Sequence, residues 1–375
     1  MNDLTCKEAA EKWGVSSRRV AALCEADRIP GAYRHGDVWA IPADAEKPQD
    51  SRVRKDFSGD GQVRPIVKWA GGKRQLLDKI SRAYPDGLGD CITKYAEPFI
   101  GGAAVLFDVL SRHSFEEVYV SDVNRELAQL YAAVRDSPED LVDLLESYED
   151  AHMSKDADGR KAYFYAQRDR YNRVKSGSAE EIDWIECSAL FVYLNKTCFN
   201  GLYRVNAKGE FNVPSGVYKN PMICDSPNIK AASKLLQGVS IRNASYLECE
   251  GFADGRTFAY FDPPYRPLSA SSSFTSYTEG QFDDGDQREL AALVRRLSDK
   301  GAMVMVSNSD PKNTCPDDDF FDDLYAGMNI NRIQASRAIN SKGDGRGKIS
   351  ELLITNYPVS FGEDNLDRWL RPVGR

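Results

Sequence analysis

Phe258-Ala-Tyr-Phe-Asp262-Pro263-Pro264-Tyr265 is an apolar run that ends in an acid, two prolines and an aromatic ring. Its composition fits a buried strand, and open α/β sheets place ligands just beyond the carboxyl ends of such strands. The prolines rigidify the turn and contribute backbone acceptors without donors. Asp262 and the Pro263 carbonyl would then be two acceptors suited to the two hydrogens of a planar amino group, and Tyr265 offers a ring for stacking. The alternative is an ordinary strand-to-loop turn.

Two further segments share this grammar. Ala96-Glu97-Pro98-Phe99-Ile100-Gly101-Gly102-Ala103 follows a strand pattern and opens a helix, so its glycines permit close backbone approach to a cofactor. About 20 residues on, Val118-Tyr-Val-Ser-Asp122-Val-Asn124 ends the next strand in an acid placed for ribose hydroxyls. Upstream, Val67-Lys68-Trp69-Ala70-Gly71-Gly72-Lys73 offers an aromatic ring, a turn and a cation. Singly, a glycine loop reads as a turn and a lone lysine as a solvated charge; in this order they are hard to assign otherwise.

From residue 64, strand patterns at 94–97, 117–121, 257–261, 302–307 and 352–357 alternate with helical ones, which predicts an α/β sheet. Residues 136–235 interrupt the alternation with helix-rich, basic sequence and read as an inserted, mainly helical target-recognition domain, leaving 64–135 and 236–360 as the catalytic domain. Residues 49–63 read as a linker. Residues 1–48 hold two short helical patterns split by Trp13-Gly14-Val15, with Thr5 and Glu8 as a capping box and Ser16 as a cap for the second helix. An alternating stretch around Gly36-Asp37 follows, like a β-wing. This outline resembles the winged helix-turn-helix of the excisionase and MerR type, with Arg18 and Arg19 as groove-facing candidates; the alternative is a protein-binding or dimerising module.

The chain from about Pro65 to Tyr357 resembles the Dam-type (class alpha, D12) family of DNA N6-adenine methyltransferases, in which Lys-Trp-Ala-Gly-Gly-Lys, Glu-Pro-Phe with its glycines, a recognition domain and Asp-Pro-Pro-Tyr occur in this order. The resemblance implies a Rossmann-like fold that uses S-adenosyl-L-methionine. It implies the activity of a site-specific adenine DNA methyltransferase, EC 2.1.1.72, with Asp262, Pro263, Pro264 and Tyr265 as catalytic residues. Trp69, Lys73, Glu97, Phe99, Gly101, Asp122 and Asp262 would contact the cofactor. Tyr246 reads equally as a neighbour of the cofactor's adenine or as a core aromatic. Direct transfer to a flipped adenine needs no covalent intermediate and no metal.

Residues 194–219 resemble the family's DNA-reading hairpin. Phe199 takes the place of an aromatic wedge that fills the stack vacated by a flipped base. Asn200 and Arg204 suit base edges, Pro214 a thymine methyl, and Lys68, Tyr218 and Lys219 complete the expected DNA contacts. The target implied is GATC or a related site, with one departure: GATC-reading relatives often carry an arginine where this chain has Val217, which cannot donate to guanine. Ser269 to Gly280, with Tyr277, reads as a loop that orders over substrate. Arg337, Arg346 and Lys348 resemble a phosphate-contacting loop, or else are solvated surface charges.

Composition bounds the rest. The net charge of −8 and pI near 5.2 speak against a uniformly basic surface, yet basic residues concentrate in 52–82, 160–175, 196–234 and 332–348. The eight cysteines form no Cys-x-x-Cys pair and only three histidines occur, so zinc cages and disulfide frameworks are disfavoured. The absence of a Pro-Cys-Gln stretch disfavours methylation at a cytosine carbon, which needs a cysteine nucleophile. No apolar run approaches membrane-spanning length and the N-terminus lacks a signal-peptide pattern, so the expected location is the cytoplasm. The expected partner is double-stranded DNA, with no membrane, a monomer in solution, and a cognate restriction endonuclease as a candidate companion. Two other readings compete: a methyltransferase for a planar nitrogen in RNA or a protein glutamine, and a regulator with a dead methyltransferase shell. Asp rather than Asn before Pro-Pro-Tyr and the long hairpin weigh against the first, and the intact Lys73, Asp122, Asp262 and Tyr265 against the second.

Overall fold

Thr5 and Glu8 close a reciprocal capping box at the start of the first helix: Glu8 Oε2 accepts from the Thr5 N–H at 2.8 Å, and the Glu8 N–H donates to Thr5 Oγ1 at 3.3 Å. The computed structural model describes residues 3–13, 17, 20, 21, 24, 29–36, 38–45, 62–177, 182–266, 282–336 and 348–359. The chain divides into two compact units, residues 1–61 and 62–375. In the first, helix α1 (Cys6–Trp13) buries Ala9, Ala10 and Trp13 with Val20, Cys24, Ile29 and Ile41. Strands β1 (Tyr33–His35) and β2 (Val38–Ala40) pair antiparallel across the Gly36 turn, where φ is +62°. Ser16, Arg18 and Arg19 lie outside the described residues.

In the second unit seven strands form one sheet in the order β5-β4-β3-β6-β7-β9-β8. These are β3 (Lys94–Glu97), β4 (Glu117–Asp122), β5 (Ser240–Asn243), β6 (Thr257–Phe261), β7 (Met303–Ser309), β8 (Asn329–Ser336) and β9 (Lys348–Thr355). β5, β4, β3, β6 and β7 run parallel, and β9 is antiparallel to both β7 and β8. Every residue of β3 and β6 is buried, as expected of central parallel strands covered on both faces. This mostly parallel sheet is consistent with the Rossmann-like fold that the resemblance implies. The chain steps outward from β3 to β4 and β5, then returns to lay β6 on β3's other flank, so the order reverses between β3 and β6. That reversal opens a crevice at the carboxyl ends of both strands.

Helices α2 (Leu77–Arg82) and α3 (Ala104–Arg112) flank β3 in sequence, and the β4-to-β5 connection carries α4 (Arg125–Asp136), α5 (Pro138–Met153), α6 (Ala157–Lys175), α7 (Trp184–Thr197) and α8 (Ser226–Leu236). Residues 187–195 of α7 are buried without interruption, because its mostly apolar side chains, Ser188 and Asn195 apart, cover the circumference and α4, α5 and α6 pack around them. α9 (Asp284–Asp299), closed by an Asp283–Asp286 capping box, and the short α10 (Phe320–Leu324) complete the unit. No helix among the described residues is long and apolar enough to cross a membrane.

Candidate active site

The crevice between β3 and β6 receives both strand-end motifs: Glu97 closes β3, and Asp262 follows the last residue of β6. Beside them, Asp122 closes β4. Lys73 reaches into the same place from a 3-10 turn (Lys73–Gln75) and is only 4% exposed. Its ammonium lies 2.7 Å from Asp262 Oδ1, donates to the Gly71 carbonyl at 2.6 Å, and sits 4.5 Å from the centre of the Tyr265 ring. Lys73 is thus engaged with the carboxylate and the ring of the same tetrapeptide.

A second set of bonds fixes the turn. The Tyr265 hydroxyl donates to Glu351 Oε2 at 2.6 Å from β9. Gln287 Nε2 of α9 donates to the Pro264 carbonyl at 3.2 Å, and Asn308 Nδ2 of β7 donates to Gln287 Oε1 at 3.1 Å. Pro263 is buried and Pro264 exposed, and the Pro263 carbonyl has no hydrogen-bond partner among the described residues. Apart from the Lys73 ion pair, Asp262 Oδ1 has no hydrogen-bond partner among the described residues either. The Asp262 carboxylate, engaged among the described residues by the Lys73 ammonium alone, and the free carbonyl of Pro263 are adjacent acceptors with lone pairs left for an incoming donor.

Burial pushes the Asp262 carboxyl up to about 6, although the Lys73 ammonium pulls it down; Glu351 adds to the rise. Asp262 is therefore mostly ionised at neutral pH and takes up a proton below about 6. We expect kcat/KM for the reaction at this site to fall as pH drops through this region. In Lys73→Met the inflection should move to higher pH, because the lowering charge is gone; a pH profile of wild type and variant checks both. Glu97 is fully buried and rises to about 8 through desolvation, offset by the Tyr95 hydroxyl that donates to it at 2.6 Å and reinforced by the nearby Asp262. It is thus predominantly protonated at neutral pH, which spares the crevice a further negative charge beside Asp262 and Asp122.

Asp122 accepts the N–H of Gly101 at 3.1 Å and of Asn124 at 2.8 Å, while burial raises it to about 6. Gly101 is left-handed, at φ +45°, and a Cβ there would lie 3.1 Å from Trp69 Cδ1. The indole therefore lies against the glycine turn. Tyr131 of α4 donates to the Gly101 carbonyl at 3.0 Å, and Ala103, at φ +57°, bends the chain into α3 at a cost of about 1–2 kcal/mol. Phe99 stacks on Tyr246, with ring centres 5.1 Å apart, and Tyr246 donates to Glu289 at 3.0 Å. The geometry thus brings Trp69, Gly101 and Asp122 into one chain of contacts and Lys73, Asp262 and Tyr265 into another, with Phe99 in an aromatic cluster with Tyr246 and Phe282.

The hairpin grows from the end of α7. The Phe199 N–H donates to the Pro214 carbonyl at 2.9 Å, and isolated bridges pair Cys198 with Ser215 and Val205 with Phe211. Asn200 and Gly201 are both left-handed, at φ +57° and +66°, which gives the Asn-Gly pair a conformational reason beside any contact it makes. Phe199 is 52% exposed and Val217 wholly so. Leu202 and Met222, which the sequence did not single out, are exposed on the same segment. The Arg204 guanidinium is held by Asn212, with Nε donating to Oδ1 at 2.7 Å. The Lys68 ammonium lies over the Tyr218 ring at 5.5 Å, and the Lys219 carbonyl accepts from Arg160. Much of the basic stretch 160–175 is neutralised internally: Arg170 pairs with Glu186, Lys175 with Glu126, and Arg160 caps backbone carbonyls. Asn195, unremarked in sequence, proves central to this joint. The Ser269 to Gly280 loop with Tyr277, Arg337, Arg346 and the side chain of Lys348 lie outside the described residues.

Residues 69–339 match the family model for D12 class N6 adenine-specific DNA methyltransferase. The chain is 47% identical over 298 residues to the type II methyltransferase M.MjaIII of Methanocaldococcus jannaschii, covering 79% of this chain and all of the relative. It is 37% identical to the type II methyltransferase M1.LlaDCHI of Lactococcus lactis subsp. cremoris, covering 79% and 96%. It is 33% identical to the DNA adenine methylase of Haemophilus influenzae, covering 77% and 92%.

Proposed function

Because this chain belongs to the D12 class of N6 adenine-specific DNA methyltransferases, we propose that it moves a methyl group from S-adenosyl-L-methionine to the N6 amino group of an adenine swung out of a short duplex target. The observation that carries this reading is the Asp262–Pro263 acceptor pair at the topological switch point, beside the glycine turn and Asp122. The residues present fit the cofactor. The Gly101 turn has no room for a side chain beneath Trp69, Asp122 keeps free lone pairs beyond its two backbone donors, and Lys73 supplies a cation. Trp69, Lys73, Glu97, Phe99, Gly101 and Asp122 would hold it. S-adenosylmethionine supplies, when bound, a methyl group on a positively charged sulfur.

The chain's own contribution is to ready the nitrogen. An exocyclic amine conjugated to a purine has little lone-pair density to offer. Asp262 and the Pro263 carbonyl, by accepting its two N–H hydrogens, favour a pyramidal nitrogen whose lone pair points away from both acceptors. The N–H proton lost after transfer can leave through the Asp262 carboxylate to water. Tyr265, pinned by Glu351, presents a half-buried ring on which a flipped base can stack. The hairpin would read the duplex, with Phe199 in the vacated stack, Arg204, Asn200 and Pro214 at base edges, and Lys68, Tyr218 and Lys219 at the backbone. GATC or a related site is the proposed target. Exposed Val217 favours contact with a thymine methyl over donation to guanine there.

Two relatives bear type II methyltransferase names, which supports a companion restriction endonuclease. The first unit, 1–48 with its linker 49–63, is proposed as a winged helix-turn-helix that adds DNA affinity to the catalytic domain (64–135 and 236–360) and recognition domain (136–235) of a monomeric, cytoplasmic enzyme. Removing residues 1–60 should then flatten the slope of log affinity against log salt, by about 0.9 for each phosphate that this unit neutralises. Nucleoside analysis of duplex DNA incubated with the protein and labelled S-adenosylmethionine tests the reaction. Label in 6-methyl-2′-deoxyadenosine is the expected result, and label only in RNA or protein substrates would overturn it.

A further inference from the structure

Asn195, in the last turn of α7 and 1% exposed, commits its whole amide to two segments distant from each other in sequence. Its Oδ1 accepts the Lys68 N–H at 2.8 Å, and its Nδ2 donates to the Lys68 carbonyl at 2.9 Å and to the Gly201 carbonyl at 3.1 Å. Lys68 leads directly into Trp69 and the turn that delivers Lys73 to Asp262. Gly201 closes the left-handed turn that displays Phe199 and Asn200.

The two segments are also packed tightly. A Cβ on Gly201 would fall 2.4 Å from Lys68 Cδ. Tyr203, buried between exposed Leu202 and Arg204, turns inward to lie 5.3 Å, centre to centre, from Trp69. A displacement of the hairpin on its outer face therefore has a short mechanical route to the indole beside the glycine turn, and the Asn195 amide is the polar pin of that joint.

We infer that Asn195 is a positioning residue that ties the DNA-reading hairpin to the cofactor-binding segment, so that engagement of duplex DNA and affinity for the cofactor depend on each other through its three hydrogen bonds. The inference rests on the proposed assignment of the hairpin to DNA and of Trp69 and Lys73 to S-adenosylmethionine. Linkage makes the dependence reciprocal: whatever factor DNA adds to cofactor affinity, cofactor adds to DNA affinity. A merely structural Asn195 would change stability without changing that factor.

Asn195→Asp separates the two. The replacement keeps the volume and the acceptor for the Lys68 N–H, but turns the donor into a second oxygen facing the Lys68 and Gly201 carbonyls. The measurement is the affinity of the full chain for S-adenosylhomocysteine, with and without a duplex containing the site mapped as methylated, alongside fluorescence of 2-aminopurine placed at the target adenine. In wild type the duplex is expected to tighten binding by a factor on the order of ten. In Asn195→Asp that factor should collapse towards one and the 2-aminopurine signal should fall, with the DNA-free affinity changed by less than about threefold. An unchanged factor in the variant, or none in wild type, overturns the inference. Should Asn195→Asp fail to fold, Gly201→Ala drives a methyl group into the same joint with Asn195 intact; an undiminished factor there overturns the inference equally. A wild-type chain that neither binds S-adenosylhomocysteine nor methylates adenine removes the functional reading itself, and the inference with it.

Discussion

Asp262→Ala is expected to lower the rate of methyl transfer by a factor on the order of 10³, with cofactor binding reduced far less. The carboxylate is one of the two acceptors proposed to shape the amino nitrogen, and alanine leaves the Pro263 carbonyl as the other. The loss should not come from unfolding. The turn keeps its bonds from Gln287 to Pro264 and from Tyr265 to Glu351, and the neighbouring strands keep the Tyr260–Ser307 hydrogen bond. Lys73 is left without its ion-pair partner but retains the Gly71 carbonyl and the Tyr265 ring. Asp262→Asn preserves the shape and one acceptor oxygen, and should retain more activity than alanine. Single-turnover rates with saturating cofactor, beside melting curves, separate chemistry from stability.

Arg204→Ala is expected to weaken the preference for the target over other sequences by about 1–3 kcal/mol, or roughly 5–150-fold. The guanidinium is exposed, yet Asn212 orients it, its Oδ1 accepting from Nε at 2.7 Å and its carbonyl from Nη2 at 3.4 Å, which leaves the remaining terminal N–H groups pre-aimed for a guanine edge. Because the side chain buries little, the melting temperature should hardly move. Lys219→Ala, at a position proposed to face the DNA backbone, should instead weaken binding to all sequences alike and lower the salt slope by about 0.9. Competition between target and scrambled duplexes distinguishes the two patterns. A uniform loss for Arg204→Ala would remove it from base reading.

The strands that carry the site were legible in sequence because they are central. β3, β4, β6 and β7 are apolar runs with acids or small polar residues at their carboxyl ends, and burial on both faces imposes that composition. The two strands that periodicity did not reveal, Ser240–Asn243 and Asn329–Ser336, are the two edges of the sheet. An edge strand pairs on one side only and tolerates polar residues such as Arg242, Asn243, Asn331 and Arg332, so its alternation is weakly marked. The glycine turn, Asp122, Lys73 and the Asp-Pro-Pro-Tyr segment could be named in advance because each needs a particular residue type at a chain reversal. Asn195 could not, since a buried amide inside an apolar helix looks like any other polar interruption until its three partners are seen. Charge clusters needed the fold beside them to be read. In the basic run on α6, Arg160, Arg170 and Lys175 have partners within the fold.

Asp262 and the Pro263 carbonyl are proposed to prepare an adenine N6 nitrogen for methylation at one short duplex sequence. Methylation-sensitive long-read sequencing of plasmid DNA from a methylation-free host tests it most directly, with the wild-type chain and Asp262→Ala expressed side by side. The expected result is N6-methyladenine at a single short motif in the wild-type plasmid and none in the variant. Unmodified adenine throughout, from a folded wild-type chain that binds S-adenosylmethionine, or equal modification by both chains, would contradict it.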